Sequence, residues 1–219
     1  MSAIFPNGTV FSVSTELGAA VTVSAITNAN PAVASATNPP KAGTILIMKS
    51  GWPELNERVV RAVNTASNTF ALEGIDTTKV GRFSKGQGIG TATPVSTWVD
   101  LSQVTNVAKT GGEQQFYQWR YVEDRNSRQR QRPTYKSAKF ITLTLDYDPA
   151  LAWYEALKEA DAAKDAVVLR AKLPNNDELY YLVYPSFDSD PSMELDANMQ
   201  NTATFSMMSD FTRYAPLAS

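Results

Sequence analysis

Cysteine and histidine are both missing from this 219-residue chain. Without them no Ser-His-Asp or Cys-His pair can form, no disulfide can close, and no His- or Cys-ligated zinc site can be built. No apolar run approaches the roughly 20 residues that a helix needs to cross a bilayer, so no membrane anchoring is expected. The start, Met1–Phe11, has neither a basic opening nor an apolar stretch, and no secretory signal is expected there. P-loop, EF-hand and dinucleotide-binding spacings are absent as well. Gly86-Gln87-Gly88-Ile89-Gly90 is glycine-rich, but no lysine follows where a phosphate loop needs one, and it reads as a turn between strands. Carboxylate pairs are what remains for hydrolytic chemistry: Asp146 with Asp148, or Asp188 with Asp190. Asp148 is better explained as a helix cap, and 188–192 as a turn. The expectation is a chain that is not an enzyme, with no catalytic residue, cofactor or metal.

What is present describes a globular protein with a sizeable core, at 43% hydrophobic residues and 20 basic against 22 acidic side chains. The richest stretch is 140–209. Ile141, Leu143, Leu145 and Tyr147 alternate with Phe140, Thr142, Thr144 and Asp146, as in a strand with one apolar face. Asp148-Pro149 predicts a helix start, with Leu151, Tyr154 and Leu157 at helical spacing and Trp153 beside them. Ala166–Leu173 and Glu178–Ser186 flank Pro174-Asn175-Asn176-Asp177, a hairpin signature. A last alternating strand is predicted through Met193, Leu195, Ala197, Met199, Ala203, Phe205 and Met207.

Earlier in the chain, Thr9–Ser14 and Ala20–Ile26 read as strands, and the texture then changes. Residues 27–94 are rich in Ala, Thr, Asn, Gly and Pro, with short strand candidates at Ala32–Ala36, Thr44–Met48, Val59–Val63 and Thr69–Leu72. Such spacing predicts a small all-β unit inserted into a larger domain formed by 1–26 and 95–219. The residues Asn30-Pro31-Ala32-Val33, Glu54-Leu55-Asn56, Arg58, Val63, Asn68-Thr69-Phe70, Leu72-Glu73 and Asp76-Thr77 resemble a small β module of phage virion proteins. That module is similar in pattern to the first catalytic cysteine half-domain of ubiquitin-activating enzymes. Asn38-Pro39-Pro40 stands here where related modules carry Ala-His-Gly. The resemblance implies an accessory fold in a virion.

Residues 95–139 hold two strand candidates, Trp98–Val107 and Phe116–Val122, and then a basic run. Arg120, Arg125, Arg128, Arg130, Arg132, Lys136 and Lys139 stand against Glu123 and Asp124. Because 128–133 has no apolar face and includes Pro133, a long exposed loop is predicted. Residues 173–212 are the opposite, with Asp177, Glu178, Asp188, Asp190, Glu194, Asp196 and Asp210 and no lysine or arginine. Opposite patches on one subunit permit a head-to-tail contact, which closes into rings or extends into filaments. A solvated loop and phosphate binding are the competing readings of the same charges, and the net charge of −2 disfavours the second. Trp52, Tyr117 and Trp119 offer a further alternative, stacking on carbohydrate in a receptor-binding or tail-tip module, although aromatics in strands are more often core or interface.

The layout from 93 onward decides among these. Val99-Asp100-Leu101 with Val104-Thr105, a long loop, and a strand ending Leu145-Asp146-Tyr147-Asp148 come first. A helix, the hairpin through Ala166–Tyr184, and an ending Thr212-Arg213-Tyr214 follow. Together they resemble the major tail tube proteins of long-tailed, non-contractile bacteriophages. The resemblance implies a mainly β fold, a tail-tube-like β-sandwich or barrel with one packed α-helix, in which six subunits form a ring and rings stack into the tube through which DNA leaves. It also implies a virion location after assembly in the host cytoplasm. The implied partners are the chain itself and the tape measure, tail tip and tail terminator proteins, with DNA only in transit. The basic set Arg120, Arg125, Arg128, Arg130 and Arg132 and the acidic set Asp188, Asp190, Glu194 and Asp196 are the expected subunit or ring contacts. The 27–94 insertion is expected on the outside of the tube.

Overall fold

The computed structural model describes residues 5–123, 125 and 128–216. Asp124 of the charge tally and the first residues of the N-terminal start lie outside the described residues. The chain is mainly β with one helix, and most strands join a single long, curled antiparallel sheet.

Its body is a run of seven strands. In sheet order these are β8 (Gly90–Leu101), β1 (Val10–Leu17), β13 (Val167–Lys172), β14 (Glu178–Ser192), β15 (Gln200–Met207), β12 (Lys139–Asp146) and β9 (Val104–Gly111). The curl follows from connectivity. β8 and β9 are the two outer strands, which in a flat sheet would lie about 29 Å apart at roughly 4.8 Å per strand. Yet they are joined by Ser102-Gln103 alone, which can bridge only about 10 Å. The sheet therefore rolls into a half-barrel, and Gln103 makes the tight turn with φ +60° and accepts from the Asp146 N–H at 3.1 Å. The single strand predicted over Trp98–Val107 is thus two strands: a period-2 pattern does not register a turn that keeps its parity.

Alternation decides what fills the roll. Ile141, Leu143 and Leu145 of β12, Leu169 and Ala171 of β13, Tyr181, Val183 and Phe187 of β14, and Ala203 and Phe205 of β15 all point inward into one core. The helix α1 (Ala152–Ala163) plugs it with Trp153, Tyr154 and Leu157. Tyr154 meets the Phe187 ring edge-on at 5.4 Å, and its hydroxyl donates to the Ser189 carbonyl at 3.1 Å. The helix starts later than Asp148-Pro149 predicts, with Leu151 at the N-cap and no side-chain cap. The Asp148 carboxylate is engaged two residues on, accepting from the Ala150 N–H at 3.1 Å, and so closes a turn ahead of the helix. Lys164 ends the helix in the left-handed region.

The hairpin β13–β14 is covered on both faces. Val168, Tyr180 and Leu182 point away from the roll and join Ile45, Ile47, Val59, Val95 and Tyr214 in another core. That contact attaches the remaining strands: β2 (Val21–Val23), β3 (Ala25–Ile26), β4 (Ala32–Ser35), β5 (Ile45–Ser50), β6 (Arg58–Ala66) and β7 (Thr69–Leu72). These enclose a core of their own around Leu46, Met48, Trp52, Phe70, Leu72 and Phe83. β8 belongs to both units, pairing with β5 up to Pro94 and with β1 from Val95 onward.

A buried polar joint locks the two units together. The Arg61 guanidinium donates to both carboxylate oxygens of Glu73 and, at 2.8 Å, to the Ala215 carbonyl, and it lies 4.6 Å over the Tyr214 ring. The Glu73 carboxylate holds the Arg61 pKa above its ordinary value. Tyr214 ends the short strand β16 (Thr212–Tyr214), which pairs with β14 while the Thr212 hydroxyl donates to the Val59 carbonyl at 2.8 Å. Burial pushes the Tyr214 hydroxyl up to about 12, and burial together with the Glu178 carboxylate raises Tyr180 further.

Candidate assembly surfaces

The basic run is only in part a loop: Arg130, Arg132 and Lys136 stand in a strand, while Arg120, Arg125 and Arg128 lie outside it. Gln114–Trp119 (β10) and Arg130–Lys136 (β11) pair antiparallel as a two-stranded ribbon separate from the main sheet, with Tyr117 opposite Arg132 and Trp119 opposite Arg130. Pro133 does not break the strand, because β11 is a ribbon edge, where proline is tolerated, and it faces Phe116 beside a register shift. The ribbon leaves the body through Gly111 and Gly112, both at positive φ. A side chain at Gly111 would collide with the Ala138 carbonyl, so this root requires glycine. At the same root Lys139 bridges Asp210 at 2.7 Å, which holds the Asp210 carboxyl below the usual carboxylate range.

One face of this arm interleaves aromatics and arginines. Cross-strand partners share a face, so Tyr117, Trp119, Arg130 and Arg132 lie together. Tyr117 and Trp119 stack at 5.8 Å, and the Arg130 guanidinium sits 5.0 Å over the Tyr121 ring. Arg120 follows β10 directly, while Arg125 and Arg128 belong to the connection between the two strands. Phe116, Tyr117, Tyr121, Val122 and Tyr135 are exposed as well, so the arm offers apolar surface along with charge.

The acidic set spans the end of β14 and the turn that joins it to β15. β14 runs further than the hairpin predicted from sequence, to Ser192, so Asp188 and Asp190 are strand residues; an irregularity between Asp188 and Ser192 takes up the extra length. The Asp188 carboxylate accepts from the Asp190 N–H at 3.1 Å and so serves its own backbone. The Asp146 carboxylate likewise accepts from Asn198 and Gln200. Glu194 and Asp196 stand in the turn that follows, where Asp196 takes φ +63°. The predicted last strand therefore begins only at Gln200. Met193 and Leu195 do not join a core but stand out from the turn, 75% and 98% exposed. The Asp196-Ala197-Asn198 turn chemistry was the signal that could have separated them from the strand.

Register fixes how the two charged sets are disposed. β12 begins at Lys139, opposite Gly111 at the root of the arm, and ends at Asp146, opposite Gln200 at the base of the acidic turn. Basic and acidic residues thus lie at opposite ends of the half-barrel, separated by the roughly 25 Å that an eight-residue strand spans. Between them β9 pairs with β12 on one side and with no strand on the other among the described residues. Of the aromatic trio, Trp52 is buried at 1% exposure, with its indole N–H donating to the Ser84 carbonyl at 2.8 Å; it cannot stack on a ligand.

A family model described as phage tail tube protein, TTP, matches residues 50–216, from the last residue of β5 through β16. No curated protein sequence matches the chain. Among solved structures, a chain of the cryo-EM structure of the anti-feeding prophage (AFP) baseplate, 6-fold symmetrised, superposes with a TM-score of 0.39 at 11% identity, covering 57% of this chain and 88% of that one.

Proposed function

The chain belongs to the phage tail tube protein family, and on that premise we propose that its subunits form rings of six that stack into the tail tube, the conduit for DNA ejection. It is a structural protein of the virion tail, not an enzyme. Tape measure, tail tip and tail terminator proteins are its neighbours in this reading, and assembly takes place in the host cytoplasm. The observation that carries the proposal is the disposition of its surfaces: a basic arm at one end, an acidic turn at the other, and an open sheet edge along β9. Opposite charges at opposite ends permit repeated head-to-tail contact. An open edge is a template for a neighbour's strand. Each exposed ion pair contributes only about 0–1 kcal/mol, but the contribution repeats at every subunit. Residues 27–94, packed around one core with β2 and β3 of the preceding segment, are assigned to a module on the outside of the tube, with the rest of 1–26 and 95–219 as the tube-forming domain.

Negative-stain electron microscopy from low to high protein concentration, with light scattering for mass, tests this. Rings or tubes with an open bore are the expected products. Replacing Arg128, Arg130 and Arg132 together by Glu should abolish the tubes and leave circular dichroism unchanged. A wild-type chain that stays monomeric at every concentration, even with tail-tip proteins added, would rule the proposal out.

A further inference from the structure

The inner face of the half-barrel is not covered along its whole length. At the end from which the arm leaves, a cavity of about 810 Å³ opens between β1, β9 and the start of β14. Phe11, Val107, Ile141, Leu173, Leu179 and Tyr181 supply its apolar wall, and Lys109 stands at its side. Helix α1 does not reach this end: its contacts are with β14 and β8, through Trp153, Tyr154 and Leu157 around Phe187. The half-barrel therefore has one plugged end and one open end.

The opposite end carries a knob that the described residues leave uncovered. Met193 and Leu195, two residues apart in the β14–β15 turn, are among the most exposed large apolar side chains of the protein. Glu194 lies between them and Asp196 follows. The base of the turn is held in place: the Tyr147 N–H donates to the Met199 carbonyl at 2.8 Å, and the Asn201 side chain donates to the Asp188 carbonyl at 2.9 Å. The knob is thus an apolar tip in an acidic frame on a fixed support. Tyr181 of the cavity and Met193 of the knob belong to one stretch of chain, separated by on the order of 40 Å along β14.

We infer that the Met193–Leu195 knob of one copy inserts into the apolar cavity of the next, forming the axial contact between subunits of successive rings. The inference rests on the tube reading and assigns its stacking surface. An apolar tip and an apolar socket at opposite ends of one strand make a heterologous contact, which repeats from copy to copy along the strand direction. Charge supports this occupant. Glu194 and Asp196 frame the tip, while Lys109 lies in the socket and the arginine-bearing arm rises from the same end. An acidic tip meeting a basic rim favours a second copy of this chain over other apolar ligands.

The absence of cysteine allows a direct test. Two single variants, Leu195→Cys and Val107→Cys, are prepared separately, mixed under assembly conditions and oxidised. Both positions are exposed, so neither change disturbs a core. A covalent dimer containing one of each, at least tenfold above that from Leu195→Cys mixed with Val80→Cys, is the expected result. The Leu195→Cys/Val107→Cys double variant should give a ladder of covalent oligomers on a non-reducing gel. Rings or tubes seen by microscopy without the cross-link would overturn this contact and leave the tube reading intact. Neither assemblies nor cross-links would overturn both.

Discussion

The hairpins β13–β14 and β10–β11 are built to the same plan and end in opposite surroundings. In the first, Val168 and Leu182 face one core while Leu169 and Val183 face another, so both faces of the strand pair are packed. In the second, every residue of β11 is exposed, Tyr117 and Trp119 of β10 lean on each other, and Arg130 covers Tyr121 just beyond β10. An isolated two-stranded ribbon is at best marginally stable in water. The difference separates two uses of a strand pair: β13–β14 contributes the stability of the subunit, and β10–β11 contributes surface for another molecule.

The comparison is broken most strongly from the buried side. Leu169→Ala removes a fully buried side chain from the inner core and should cost about 2–5 kcal/mol, read as a lower urea midpoint. A loss below 1 kcal/mol would mean that this hairpin is not where stability is concentrated. A smaller effect is expected at the joint behind the same hairpin. Arg61→Met leaves Glu73 and the Ala215 carbonyl without their donor, at a cost of about 1–3 kcal/mol, since the partly exposed Glu73 can rehydrate. An alkaline titration is a further probe of that joint. Tyr214 is held protonated up to about 12, whereas an unfolded tyrosine ionises near 10. The stability tied to its neutral form is therefore complete below pH 10 and lost as the pH rises toward 12. The melting temperature should fall across that window, and less steeply in Tyr214→Phe, although that variant starts lower because it lacks the hydroxyl that accepts from the Arg61 backbone N–H. The smallest effect on folding belongs to the arm. The Arg128, Arg130 and Arg132 reversal that should abolish tubes is expected to move the urea midpoint by less than about 0.5 kcal/mol, as exposed sites do.

Strand positions and inward faces were legible wherever alternation ran beside a conserved parity of pairing, as at Ile141, Leu143 and Leu145 or Ala203 and Phe205. Thr69–Leu72 is a strand as predicted. Legibility failed where the same pattern allows two geometries. Trp98–Val107 and Met193–Met207 both alternate through a turn, and alternation measures parity, not continuity. Arg130–Lys136 failed for the opposite reason: with no apolar face it gave no strand signal, and its pairing comes from the partner strand and the glycines at its root.

Sequence alone determined the mainly β character, the single helix, the inward faces of the strands, and the segregation of positive from negative charge along the chain. It also excluded His- and Cys-based chemistry outright. Only the tertiary structure decided that the charged segments stand at opposite ends of one half-barrel, that Trp52 is core, and that Met193 and Leu195 face solvent opposite an open apolar cavity. The reason is physical. Composition and periodicity act within a few residues, whereas the ends of a barrel are defined by register between strands distant in sequence, with β12 pairing β9 on one side and β15 on the other.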